Sequence, residues 1–131
     1  MHFNKPTAPN PSAPMSEPRG HLILRDLLTI ATTQAQHHWQ PFRDGVEICR
    51  LYKGSDGPTA ALLRYAPNTA TPAHLHTGSE FILVLSGSQS DEHGHYSAGA
   101  VLASPPDSKH RVVSESGCIV LAIWTKPVEF L

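Results

Sequence analysis

From Gly20 onward, apolar residues come in short bursts separated by chain breakers. Leu22-Ile23-Leu24 and Leu27-Leu28-Thr29-Ile30 are followed by Gln36-His37-His38-Trp39-Gln40 and a break at Pro41. Val46 to Tyr52 alternates apolar and charged positions and ends in Gly54-Ser55-Asp56-Gly57-Pro58, a turn signal. Thr59 to Tyr65 reads as the next strand, closed by a turn at Pro67-Asn68. Phe81 to Leu85 is an unbroken apolar run, which predicts a strand buried on both sides. Gly87, Gly94 and Gly99 punctuate the next stretch; Ala100 to Ala103, Arg111 to Val113 and Cys118 to Thr125 complete the set. This rhythm predicts roughly nine or ten short strands, as in an all-β sandwich or small barrel. The one helical pattern is Leu27 to His38, and its β-branched Thr29, Ile30, Thr32 and Thr33 argue against it.

Residues 1–19 have a different character. Pro6, Pro9, Pro11, Pro14 and Pro18 stand among Asn, Ser, Thr and Ala. Repeated proline fixes φ and removes donors, which bars a helix or a central strand. The expectation is a proline-rich arm over 1–19 and one domain over 20–131.

Composition narrows the function classes. The chain has 131 residues, 10 Lys+Arg against 11 Asp+Glu, and a formal net charge of −1. A nucleic-acid binder needs a basic face to displace counterions, so none is expected. No apolar run approaches the ~20 residues that span a bilayer. The start lacks a basic end followed by an apolar stretch, so the cytoplasm is the expected location. Cys49 and Cys118, far apart and each in an apolar run, read as buried thiols of a reducing compartment. Nine histidines stand out, since imidazole is the commonest metal ligand.

Pro72-Ala73-His74-Leu75-His76-Thr77-Gly78-Ser79-Glu80 concentrates that chemistry. Side chains two apart on a strand share a face, so His74 and His76 present two imidazoles together and Leu75 points away. Thr77-Gly78 permits a kink, after which Glu80 can return to the same place. His110 comes after Pro105-Pro106-Asp107-Ser108-Lys109, and a chain that crossed a small barrel and came back would deliver it opposite the pair. Three neutral imidazoles and a carboxylate suit one divalent transition ion: Fe, Zn, Mn, Ni or Cu. Such a set leaves positions for water or substrate.

These residues resemble the cupin superfamily. His-x-His-x3-Glu-x6-Gly, here His74, His76, Glu80 and Gly87, has the spacing of the first cupin motif. The second, Gly-x5-Pro-x-Gly-x2-His-x3-Asn, stands here as Gly99, Pro105, Asp107, His110 and Ser114. Asp107 and Ser114 replace a turn glycine and an asparagine, and Asn68 replaces the opening glycine of the first motif. Asn and Asp tolerate positive φ, so both turns are expected to survive. Thr77 to Gly87, Ser90 to Tyr96 and Ser114 to Cys118, with Trp39-Gln40-Pro41 upstream, are similar to the ChrR-like subfamily over about residues 36–125. That subfamily includes the zinc-binding domain of an anti-sigma factor and iron dioxygenases of the acetylacetone type. The resemblance implies a jelly-roll (double-stranded β-helix) barrel, commonly a homodimer, with His74, His76 and His110 as metal ligands. Glu80 is left as either a fourth ligand or a residue orienting a ligand histidine.

The leading expectation is therefore a metal-dependent dioxygenase acting on a small dicarbonyl substrate. The other is a zinc-binding sensing module without catalysis. No protein nucleophile is evident, and residues 1–35 lack the His-x3-Cys-x2-Cys and amphipathic helix of a free-standing anti-sigma factor. Asp91, Glu92, His93 and His95 beside Gly94 read as a solvated hairpin turn. His37 and His38 read as surface or packing residues. Trp39, Tyr65, Phe81 and Trp124 read as core. Arg64, among Leu62, Leu63 and Tyr65, is a candidate pocket residue whose burial calls for an anionic partner such as Glu80 or a ligand carboxylate.

Overall fold

The computed structural model describes residues 20–55 and 57–131; the proline-rich segment 1–19 lies outside the described residues. A helical stretch opens the fold: a 3-10 turn Leu27–Thr29, one α-turn Ile30–Thr33 (α1), and a second 3-10 turn Gln34–Gln36. Twelve strands come after it among the described residues. They are β1 (Gln40–Arg43), β2 (Val46–Lys53), β3 (Thr59–Tyr65), β4 (Thr69–Ala70), β5 (His74–His76) and β6 (Glu80–Asp91). The second half holds β7 (Gly94–Ser97), β8 (Val101–Ser104), β9 (Lys109–His110), β10 (Val113–Ser114), β11 (Cys118–Trp124) and β12 (Val128–Phe130). No helix among the described residues is long and apolar enough to cross a membrane.

The larger sheet runs β1-β2-β3-β11-β6-β10-β4, with β7 and β8 also paired to β6; the smaller runs β12-β5-β9. The pairings within them are antiparallel, from Val46↔Tyr65 across β2 and β3 to Trp124↔Glu80 across β11 and β6. This is the jelly-roll architecture anticipated from the motifs. β6 is its spine, because it pairs with β11, β8, β7 and β10 in turn.

Alternation along the strands builds two apolar clusters on opposite faces. Val46, Tyr65, Ile82, Val84, Val112, Cys118, Val120 and Ala122 fill the interior. Cys49, Leu51, Leu62, Leu85 and Ile119 form the other cluster, with Ile30. Leu24 and Leu27 pack onto it, so the helical stretch is the lid that lets β11 be apolar on both faces. Ile30 is fully buried there, which stabilises by about 1.5–3 kcal/mol. The local preference of Thr29 to Thr33 for extended backbone is overruled by that burial, which corrects the expectation that no helix forms. Phe81 is a second correction: it is 47% exposed on the outer face, beyond the reach of the lid. Cys49 and Cys118 are free and buried in different clusters.

β6 carries one irregularity that matters for the site. In its pairing with β11, Ile119 opposes Ser86 while Val120 opposes Val84, so one residue is extra on β6. Gly87 comes next with φ 72. A Cβ there would collide with the Gly117 carbonyl oxygen, so only glycine fits. An inserted residue reverses which positions face inward. Glu80, Ile82 and Val84 face the interior before it, and Gln89 and the Asp91 carboxylate do so after it.

Candidate metal centre

β5 lies in the middle of the small sheet, with burial alternating as its sequence requires: His74 and His76 buried, Leu75 between them less so. β9 pairs with it so that His74 faces His110 directly. Asn68 and Asp107 both adopt positive φ, 58 and 71, as the motif substitutions predict. The Asp107 turn folds the 105–110 loop against β5: Asp107 N–H donates to the His76 carbonyl at 2.8 Å, and His76 N–H donates to the Ser108 carbonyl at 2.9 Å. Glu80 enters from the start of β6. Ligand-type atoms of His74, His76, Glu80 and His110 all lie within 4.8 Å of one another, and all four residues are buried. The three rings are mutually edge-on, with centroids 4.5 to 5.1 Å apart.

The hydrogen-bond partners decide which ring nitrogens face one another. His74 Nδ1 lies 2.9 Å from the Pro72 carbonyl, which can only accept, so Nδ1 carries the proton. His76 Nδ1 faces the Ser108 carbonyl at 3.1 Å and its hydroxyl at 2.9 Å; that hydroxyl donates to the Pro105 carbonyl, so Nδ1 is again the donor. His110 Nδ1 donates to Asp91 Oδ2 at 3.0 Å. All three Nε2 lone pairs are therefore left for the interior. His110 Nε2 is buried with no hydrogen-bond partner. His76 Nε2 faces Glu80 Oε1 at 3.2 Å, an acceptor against an acceptor unless a proton or a cation lies between them. An orphaned nitrogen and an acceptor pair, all pointing at one place, fit a divalent transition ion.

Titration reflects the same geometry. The carboxylate of Glu80 raises His76 above the ordinary imidazole range, against the effect of burial. Burial lowers His74, with the neighbouring imidazoles of His110 and His76 adding to it. Asp91 loses solvation on burial, but donors from Tyr96, His110 and the His93 backbone outweigh this and lower its pKa. Tyr96 is pushed up to about 12 by burial and by Asp91.

Beside two of the imidazoles lies a cavity of about 380 Å³, lined among others by His76, His110, Tyr96, Leu102, Ser104 and Lys109. Arg64 is on the other face. Its guanidinium donates twice to Glu47 Oε1, at 2.8 and 3.1 Å, and once to Gln34 Oε1 at 3.0 Å, and it stacks over Trp39 at 4.3 Å. It lines a separate groove of about 340 Å³ with Gln34, Glu47 and Ser116. Its anionic partner is thus Glu47, in register opposite it on β2, and not Glu80.

Asp91 was hidden in the sequence. Its Oδ1 does cap the hairpin turn, accepting from the His93 and Gly94 backbone at 2.8 and 3.1 Å. The other oxygen reaches His110, so the solvated-turn reading covers only half of its contacts. No sequence period exposes Asp91: counting by twos from Glu80 puts it on the outer face, and only the offset before Gly87 brings it inside.

Residues 28–128 match the family model of the ChrR cupin-like domain. The chain belongs to the ChrR-like cupin family. It is 34% identical over 94 residues to the anti-sigma-E factor ChrR of Cereibacter sphaeroides. That match covers 70% of this chain but 44% of the relative, so this cupin spans less than half the length of that protein. The crystal structure of Rhodobacter sphaeroides SigE in complex with the anti-sigma ChrR superposes with a TM-score of 0.63 at 26% identity, over 86% of this chain and 70% of that one. An acetylacetone dioxygenase from Acinetobacter johnsonii superposes with a TM-score of 0.69 at 11% identity, over 91% and 82%. The last likeness shows that the cupin barrel is shared, and nothing finer.

Proposed function

We propose that this cupin holds one divalent first-row transition ion at His74, His76, His110 and Glu80, with Fe(II) and Zn(II) foremost, and offers it to a small molecule entering by the adjacent cavity. The observation that carries this reading is the convergence of three bare Nε2 atoms on a buried carboxylate. Glu80 is the fourth donor and not a residue behind a ligand: the Nδ1 position of each imidazole is already taken, by Pro72, Ser108 and Asp91. The four donor residues would hold the ion and leave it open toward the cavity, where a small enolisable dicarbonyl could reach it. When bound, the ion supplies Lewis acidity and, as iron, one-electron chemistry with oxygen. The chain's own residues bind and orient: Leu102 and Tyr96 supply apolar wall, and Lys109 at the cavity rim attracts an anionic enolate. No residue here is assigned as a nucleophile. Phe81 and Val101, both exposed on the outer face, supply apolar surface for a homodimer.

The experiment is oxygen uptake by iron-loaded protein over a panel of small diketones, with elemental analysis of protein purified without a nickel column. About one ion per chain and uptake with one diketone support the dicarbonyl oxygenase reading. One ion without uptake in any metal form favours the second reading, a zinc-holding sensing module, which the 34% identity to ChrR supports.

A further inference from the structure

We infer that Asp91 is a positioning residue for the metal centre: together with the β6–β7 hairpin it fixes the tautomer and the aim of His110. This rests on the metal reading above and goes beyond the four donors. The Asp91 side chain is 4% exposed and the His110 side chain 3%. The two carboxylate oxygens have separate tasks. Oδ1 accepts three hydrogen bonds, from Tyr96 Oη at 2.7 Å, His93 N at 2.8 Å and Gly94 N at 3.1 Å. These lock the carboxylate to the hairpin. Oδ2 is left to accept from His110 Nδ1 at 3.0 Å. An ionised carboxylate can only accept, so His110 must keep its proton on Nδ1 and present Nε2 as a bare lone pair.

Of the three imidazoles, His110 alone has a side-chain carboxylate behind it; His74 leans on a backbone carbonyl and His76 on Ser108. β9 is two residues long, so its backbone pairing alone holds the ring weakly. The aim of His110 therefore comes from β6, 19 residues earlier in the chain.

Asp91→Asn tests this sharply. The three donors on Oδ1 force the amide oxygen into that place, which turns the NH2 toward His110 Nδ1. The ring must then accept at Nδ1 and carry its proton on Nε2, where it blocks the ion. Histidine 15N NMR on metal-free protein at pH 8, with Co(II) affinity measured by chelator competition, reads both ends of this chain of contacts. The wild type is expected to show the Nδ1–H tautomer at His110. The variant is expected to shift to Nε2–H, with Co(II) binding weakened about 10- to 100-fold and an unchanged circular dichroism spectrum. Tyr96→Phe, which removes one lock and keeps the carboxylate, is expected to retain the tautomer and weaken binding less. An Nε2–H His110 in the wild type overturns the inference, and that measurement needs no variant to fold. Asp91→Asn with unaltered tautomer and affinity overturns it too. Failure of the wild type to bind Co(II), Zn(II) or Fe(II) overturns both the inference and the metal reading.

Discussion

Two polar clusters sit on opposite faces of the same barrel, and they differ in one respect. Around Arg64, each guanidinium nitrogen donates to an acceptor, two to Glu47 and one to Gln34, and the group stacks on the face of Trp39. Around His76 the pairing is unfinished, with an imidazole lone pair against a carboxylate oxygen and the bare Nε2 of His110 beside them. The first cluster is complete as it stands and fastens the helical lid to the sheet. The second is short of a positive charge, which a proton or a bound cation would supply. Burial alone does not distinguish a structural polar group from a functional one; the balance of donors and acceptors does.

Breaking the inner cluster should have the largest effect. His76→Ala is expected to lower metal affinity by about 100-fold or more, so that dialysed protein retains no ion by elemental analysis. Full occupancy in that variant would exclude His76 as a ligand. In the wild type, a saturating ion at ~1,000 times its Kd should add about 4 kcal/mol of stability, seen as a rise in Tm that His76→Ala lacks.

Proton competition comes next. His76 is raised by Glu80, so below its pKa a proton occupies the place of the ion, and occupancy should fall as pH drops through that raised pKa. Without metal the sign reverses. The raised His76 contributes stability that is fully present below its unfolded value of 6.5 and is lost as pH rises through its folded pKa. The lowered His74 loses stability as pH falls from 6.5 toward its folded pKa. Over this range the imidazole contribution to metal-free stability should peak near pH 6.5, whereas the metal-loaded protein should grow more stable toward higher pH. Thermal melts of both forms across about pH 5.5–8 check this, and parallel profiles would contradict it.

The outer cluster should give the smallest response. Arg64 and Glu47 have side chains 26% and 45% exposed, so solvent screens the pair. Arg64→Ala is expected to cost about 1 kcal/mol or less in urea unfolding, including the lost stacking on Trp39, and to leave metal affinity unchanged. A fall in affinity with Arg64→Ala would erase the contrast between the clusters.

The features legible in the chain obey local rules. His74 and His76 two apart, turn residues Asn68 and Asp107 at positive φ, and the alternation of β2 and β3 are all set by neighbours in sequence. The features that escaped depend on partners far away. The helix over Ile30–Thr33 exists because the outer face of β11 needs a cover. Phe81 is exposed because that cover is short. Asp91 escaped because the extra residue in β6 inverts the inside-outside count, and a bulge has no period to detect.

That extra residue has a consequence for how the protein tolerates change. Glu80 in front of the imidazoles and Asp91 behind His110 ride on one strand, eleven positions apart, and an odd separation reaches a common side only across the offset before Gly87. Replacing a side chain along this stretch alters one contact. Adding or removing a single residue between the two acids while that offset is kept would swing one of them out into solvent. Evolution can therefore vary the lettering of this strand far more freely than its length.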